Sequence, residues 1–119
     1  MSPDELEESK IDFEWAVGRA KLNHRQAEAL RRYINGMTYK ASGKGLPIVG
    51  RSKPDITTER FRQLLARTLR QLSTEGKTFY DSAKFFRNLI QEGVVLTLEL
   101  KYVDEQGVFQ TLRGGLIHG

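Results

Sequence analysis

The chain has no cysteine, which excludes disulfides, thiolate zinc sites and cysteine nucleophiles, and fits a reducing compartment. It has only two histidines, His24 and His118, with nothing beside either at metal-ligand or catalytic spacing, and both are expected to be ordinary surface residues. No apolar run approaches the roughly 20 residues that span a bilayer, so no membrane contact is expected. The opening "MSPDELEESK" lacks the basic and apolar blocks of a signal peptide, and a cytoplasmic protein is expected. Gly-x-Ser-x-Gly and a complete phosphate loop are also missing: "SGKG" at 42–45 lacks the Gly-Lys-Ser/Thr ending. The expectation is a non-enzyme with no cofactor and no metal.

What is present is one domain's worth of chain, 119 residues, 39% apolar and 29% charged, with a net charge of +4. The charge is unevenly distributed. Residues 1–20 carry two Lys/Arg against six Asp/Glu; residues 21–77 carry thirteen against four; residues 78–119 carry four against five. A basic middle between acidic ends is what a polyanion-binding face requires, although some ordinary domains are simply basic.

Helical punctuation is clear. Ser2, Pro3 and Glu5 form a capping box for a helix over 3–20, with Leu6, Phe13, Ala16, Val17 and Ala20 as its apolar stripe. Asn23 and Gln26 start a second helix with Ala27, Leu30 and Ile34 inward, and Asn35-Gly36 stops it. The segment "YKASGKGLPIVGRSKPD" is too broken by glycine and proline for a long helix, and reads as a loop over 41–55 with one short helical turn or a tight ribbon.

The stretch "ITTERFRQLLARTLRQL" at 56–72 is strongly amphipathic. Thr57 caps it and Ile56 is placed to staple onto Phe61. Phe61, Leu64, Leu65, Thr68, Leu69 and Leu72 fall on one face, and Glu59, Arg60, Gln63, Arg67 and Arg70 on the other. A further helix over 79–92 stops at Gly93, with Phe79, Ala83, Phe86 and Ile90 inward. From Val94 the period becomes two, giving a hairpin over 94–113 through the turn "DEQG", then a loose tail "RGGLIHG". The predicted class is mainly α with a C-terminal β-hairpin, a core of about four helices, in a single domain over 1–119.

"LNHRQAEALRRYINGMTYK" followed by "ITTERFRQLLARTLRQL" resembles the promoter-reading C-terminal domain (region four) of bacterial sigma factors and related helix-turn-helix regulators. Leu22, Arg25, Gln26, Leu30, Gly36, Thr38 and Tyr39 match the family's first helix and junction. Thr57, Glu59, Arg60, Arg62, Gln63, Ala66, Leu69 and Leu72 match its recognition helix. The resemblance covers about two-fifths of the chain. Where the family has a compact second helix and a tight turn, this chain has "ASGKGLPIVGRSKPD", roughly twice as long. Either a supporting helix starts at Thr38 and ends by Gly43, with the remainder an enlarged turn, or that helix is lost.

The resemblance implies a transcription regulator that binds double-stranded DNA, with the helix from Thr57 to Leu72 in the major groove. Thr58, Glu59, Arg60, Arg62 and Gln63 would approach bases or the nearest phosphates, with Arg67 and Arg70 along the backbone. The chemistry suits this: arginine offers a fork to guanine, glutamine pairs with adenine, and glutamate accepts from cytosine. Thr57 would donate to a phosphate, and Lys40, Lys44, Arg51 and Lys53 would add salt-sensitive phosphate contacts. The protein would act as a homodimer paired through the hairpin, or as a monomer docked on RNA polymerase. The alternatives are a non-catalytic adaptor that mimics a sigma module and binds polymerase or another regulator, and a basic RNA-binding protein. RNA binding is disfavoured because Phe79, Tyr80, Phe85 and Phe86 follow a helical pattern that core packing explains.

Overall fold

The computed structural model describes residues 2–116. It is mainly helical, with five helices among the described residues and a two-stranded antiparallel hairpin after them. The helices are α1 (Pro3–Ala20), α2 (His24–Ile34), α3 (Tyr39–Ser42), α4 (Thr58–Leu72) and α5 (Tyr80–Gln91); the strands are β1 (Leu96–Val103) and β2 (Phe109–Leu116).

Each start signal is realised as a bond. The Ser2 hydroxyl accepts from the Glu5 amide, and Asn23 and Gln26 make the reciprocal capping box, at 2.8 and 3.1 Å. Thr57 Oγ1 accepts from the Arg60 amide. α2 ends through Gly36 at φ +85°, a left-handed position suited to glycine.

The apolar stripes converge on one core. Phe13 and Val17 of α1, Leu30 and Ile34 of α2, Phe61 and Leu72 of α4, Phe86 of α5 and Leu98 and Leu100 of β1 are all fully buried. Phe13 packs on Phe79 and Phe86, with ring centroids 6.2 and 5.3 Å apart. Each fully buried phenylalanine or leucine contributes about 1.5–3 kcal/mol relative to exposure. Phe79 and Phe86 therefore belong to the core, while Tyr80 stays exposed and donates to the Ala66 carbonyl.

The start of α2 meets the end of α4: Gln26 of α2's first turn donates to Gln71, near the end of α4, at 2.9 Å. Gln71 in turn donates to the Ala20 carbonyl, and Arg19 to that of Leu72, which ties the end of α4 to α1. The supporting helix is present as the single turn α3, capped by Thr38 and closed at Gly43. Tyr39 of α3 meets Phe61 of α4 with ring centroids at 5.6 Å.

Two expectations are corrected. Residues 113–116 are not a loose tail: β2 continues through Arg113, Gly114, Gly115 and Leu116, with Leu116 paired to Leu96. The two glycines allow it. A Cβ on Gly114 would lie 3.3 Å from Arg31, and one on Gly115 would lie 2.1 Å from the Leu96 carbonyl oxygen. Gly115 sits at φ +106° and donates its N–H to Asn35 Oδ1 at 2.6 Å, so the strand lies against the end of α2. His24, expected at the surface, is half-buried and stacks on Tyr102 at 4.4 Å, nearly parallel. His118 and the rest of the predicted tail lie outside the described residues.

Candidate nucleic-acid interface

The long segment between α3 and α4 is a narrow ribbon that folds back on itself. The Ile56 amide donates to the Gly43 carbonyl at 2.7 Å and the Leu46 amide to that of Pro54 at 2.8 Å, while Val49 and Ser52 close the turn. Gly43 is needed at the ribbon's root, because a Cβ there would stand 2.5 Å from the Ile56 carbonyl oxygen. Leu46, at 2% exposure, anchors the ribbon in the core.

α2 holds the ribbon along its length. Near its C-terminal end, Arg32 donates to the carbonyls of Ser42, Lys44 and Gly45; in its first turn, Arg25 donates to the Pro47 carbonyl at 3.1 Å. The ribbon's first limb therefore runs beside α2 from back to front. Arg31 and Arg32 both bind Glu28, at 2.5 and 2.8 Å. Burial works to raise the Glu28 carboxyl, but the two guanidinium hydrogen bonds and charges outweigh it and hold the pKa below the ordinary value. The bond to Glu28 raises Arg31 correspondingly.

Between the ribbon and α4 lies a groove of about 750 Å³. Lys44 and Lys53 line it from the ribbon, Thr57 from the cap of α4 and Arg60, Gln63 and Arg67 from α4 itself, with Arg25 of α2 among the lining residues. Arg60, Gln63 and Arg67 share one side of α4 because three- and four-residue steps return to the same side of a helix. Asp55 contributes the groove's one carboxylate, occupied with the Gly45 amide at 2.8 Å. Five cations against one carboxylate give the groove a formal charge of +4.

All twelve residues proposed from the sequence are exposed, and six of them meet in this groove. The other six stand outside it. Glu59 and Arg62 pair with one another at 3.7 Å, and Arg62 lies over the Tyr39 ring at 5.4 Å. Both members of that pair are more than half exposed, so the pair constrains neither side chain firmly. Thr58 opens α4, Lys40 lies on α3, Arg51 in the ribbon's turn and Arg70 near the end of α4. Thr57 accepts the capping bond with its oxygen, which leaves its proton free to donate.

Among the described residues, Lys40, Lys44, Arg51, Lys53, Arg60, Arg67 and Arg70 make no ion pair and no side-chain hydrogen bond. The lining cation that the sequence did not single out as a contact is Arg25. It is 9% exposed, and burial pushes its guanidinium pKa down. Nothing local in "LNHRQ" announces this, because the ribbon that covers it is more than twenty residues away in the chain.

Comparison of the chain with models of known protein families, with curated proteins and with solved structures finds no match.

Proposed function

We propose that this chain is a sequence-specific, double-stranded DNA-binding transcription regulator of helix-turn-helix type that uses α4 as its recognition helix, as its resemblance to sigma region four implies. The carrying observation is the row of unpaired cations on α4 and the ribbon, beside a helix, α2, on which Arg31 and Arg32 are both paired with Glu28. Side chains held ready in solvent are what phosphate and base contacts require, since neither costs the protein an internal bond. Arg60 and Gln63 near the start of α4 read base edges, and Arg67, Arg70 and the ribbon's Lys44, Arg51 and Lys53 lie along phosphates.

Selection of bound duplexes from a random pool tests this. A defined consensus is expected, and Arg60→Ala should weaken specific binding by about 1–3 kcal/mol and relax one position of it. A pool that stays random would overturn the proposal. A palindromic consensus would report a dimer. The edge of β1 is already closed, by Glu14 on the Glu99 amide and by Leu22 on the Val103 amide. Pairing between copies therefore falls to the outer edge of β2 at Phe109–Arg113, whose residues are mostly exposed.

The adaptor reading is favoured by a different surface. Ile11 and Trp15 of α1 and Phe109 of β2 are 56%, 66% and 51% exposed and line a groove of about 480 Å³ with Arg19 and Lys101. Exposed apolar side chains gathered at one place suit a protein partner such as RNA polymerase. Recovery of polymerase subunits by the wild type but not by Trp15→Ala is the expected result under that reading.

A further inference from the structure

We infer that the groove between the ribbon and α4 is a phosphate-binding site, with Arg25 as its most buried cation and Lys44, Lys53 and Arg67 around it. The inference rests on the DNA-binding proposal only for the source of the phosphate. Arg25 is the sharpest observation: 9% exposed, it makes a single hydrogen bond, to the Pro47 carbonyl, and has no carboxylate within ion-pair distance among the described residues.

The neighbouring arginines show how this protein otherwise treats a withdrawn cation, since Arg31 and Arg32 share Glu28. A charge taken out of water and left unneutralised is costly unless a counter-ion completes it. Its position adds to the imbalance. Arg25 lies in the first turn of α2, which contains no acidic residue, at the helix end where the backbone dipole already favours an anion. One bound anion would relieve both.

The chemistry selects phosphate. A guanidinium fork matches two oxygens of a tetrahedral oxyanion, and the lysines add charge without demanding direction. A volume of about 750 Å³ takes a phosphate together with the sugar or base attached to it, within the roughly 300–1,000 Å³ of small-ligand sites. The phosphate can come from the backbone of bound DNA or from a free phosphorylated nucleoside.

Two probes separate these sources, each applied to the wild type, to Arg25→Gln and to the double variant Lys44→Ala/Lys53→Ala. The double variant leaves the bond between Arg25 and Pro47 in place, so a loss there does not report a displaced ribbon. The first probe is the selected duplex with single phosphates ethylated. If the backbone fills the site, ethylating one phosphate weakens the wild type by roughly tenfold or more and leaves Arg25→Gln indifferent. The slope of log affinity against log salt then falls by about 0.9 in that variant.

The second probe is adenosine monophosphate, which raises the wild-type melting temperature saturably, and that of neither variant, if a free ligand fills the site. Either result supports the inference. It is overturned if no ethylated position distinguishes the wild type from Arg25→Gln and the mononucleotide shifts melting no more than chloride at equal ionic strength. Duplex binding that depends on Arg60 but on no Arg25-linked phosphate removes only the phosphate site. Stabilisation by the mononucleotide without any duplex binding removes only the DNA proposal.

Discussion

α2 and α4 are neighbouring amphipathic helices, both capped by a short polar side chain and both rich in arginine, yet they use that residue in opposite ways. On α2, Arg31 and Arg32 converge on Glu28, Arg32 also fastens the carbonyls of Ser42, Lys44 and Gly45, and Arg25 holds that of Pro47 at the groove's edge. On α4, Arg60, Arg67 and Arg70 have no internal partner among the described residues. The residue type is the same. What differs is whether a carboxylate or a row of unsatisfied carbonyls lies opposite, so an arginine count alone says little about which helix meets a ligand.

The contrast is tested most strongly at Glu28, whose side chain is 9% exposed. Removing one member of a buried ionic cluster leaves the others uncompensated, so Glu28→Ala should lower unfolding free energy by about 3–5 kcal/mol in a denaturant titration. A loss under 1 kcal/mol would mean that α2's arginines are no more structural than α4's. The pH dependence has a definite sign. With the folded pKa held below the ordinary 4.5, the unfolded chain binds the proton first as pH falls. The carboxylate's contribution is therefore complete above the ordinary value and is lost on acidification through the folded one. Glu28→Gln should flatten the stability profile in that window.

A second, smaller effect is expected at the ribbon's root. Gly43→Ala has an ordinary negative φ to accommodate, so its cost is the clash with the Ile56 carbonyl alone, about 1–3 kcal/mol of overpacking. The same substitution at Gly45, whose added Cβ meets nothing within 4 Å, removes the clash but retains a left-handed φ of +60°. Larger loss at Gly43 than at Gly45, measured by thermal melting, would show that backbone approach to α4's entrance governs the ribbon.

The elements that were legible in the sequence are those specified by neighbours three or four residues apart. The Asn23–Gln26 box, the Thr57 cap and the Phe61–Leu72 stripe needed no knowledge of the rest of the chain, and neither did the alternation of Leu96, Leu98 and Leu100. The ribbon was legible only as a broken segment, because what shapes it is Arg32 reaching carbonyls ten to thirteen residues on. The end of β2 was missed for a related reason. Gly114 and Gly115 look like a loose tail until α2 and Leu96 are seen to leave no room for a side chain. Six of the proposed contact residues proved to share a groove, and Arg25 joined them through the ribbon, a relation that no periodicity encodes.

Arg62 should fall between the two helices' behaviours, since it belongs to α4 but touches Tyr39 and Glu59. An exposed guanidinium over a tyrosine ring is worth about 0.5–1 kcal/mol, and Arg62→Ala should cost about that much in stability. Arg62→Lys would retain the charge and lose most of the stacking geometry. If both variants melt with the wild type, the contact with Tyr39 does not contribute to holding α3 on α4.

The smallest stability effect is expected where the largest functional one is. Arg60→Ala and Arg67→Ala together remove two solvated side chains from a helix in which alanine is the better former, so the unfolding free energy should move by no more than about 0.5 kcal/mol in either direction. Both positions line the groove, and neither has an internal ion-pair partner to strand among the described residues. Binding to the selected duplex should nevertheless fall, because Arg60's base contact and Arg67's phosphate contact are gone, and the loss of the latter should lower the salt slope. A double variant that unfolds easily would place these arginines with those of α2, as fasteners. One that is stable but binds DNA as well as the wild type would leave α4's cations solvated and would move the interface to some other face.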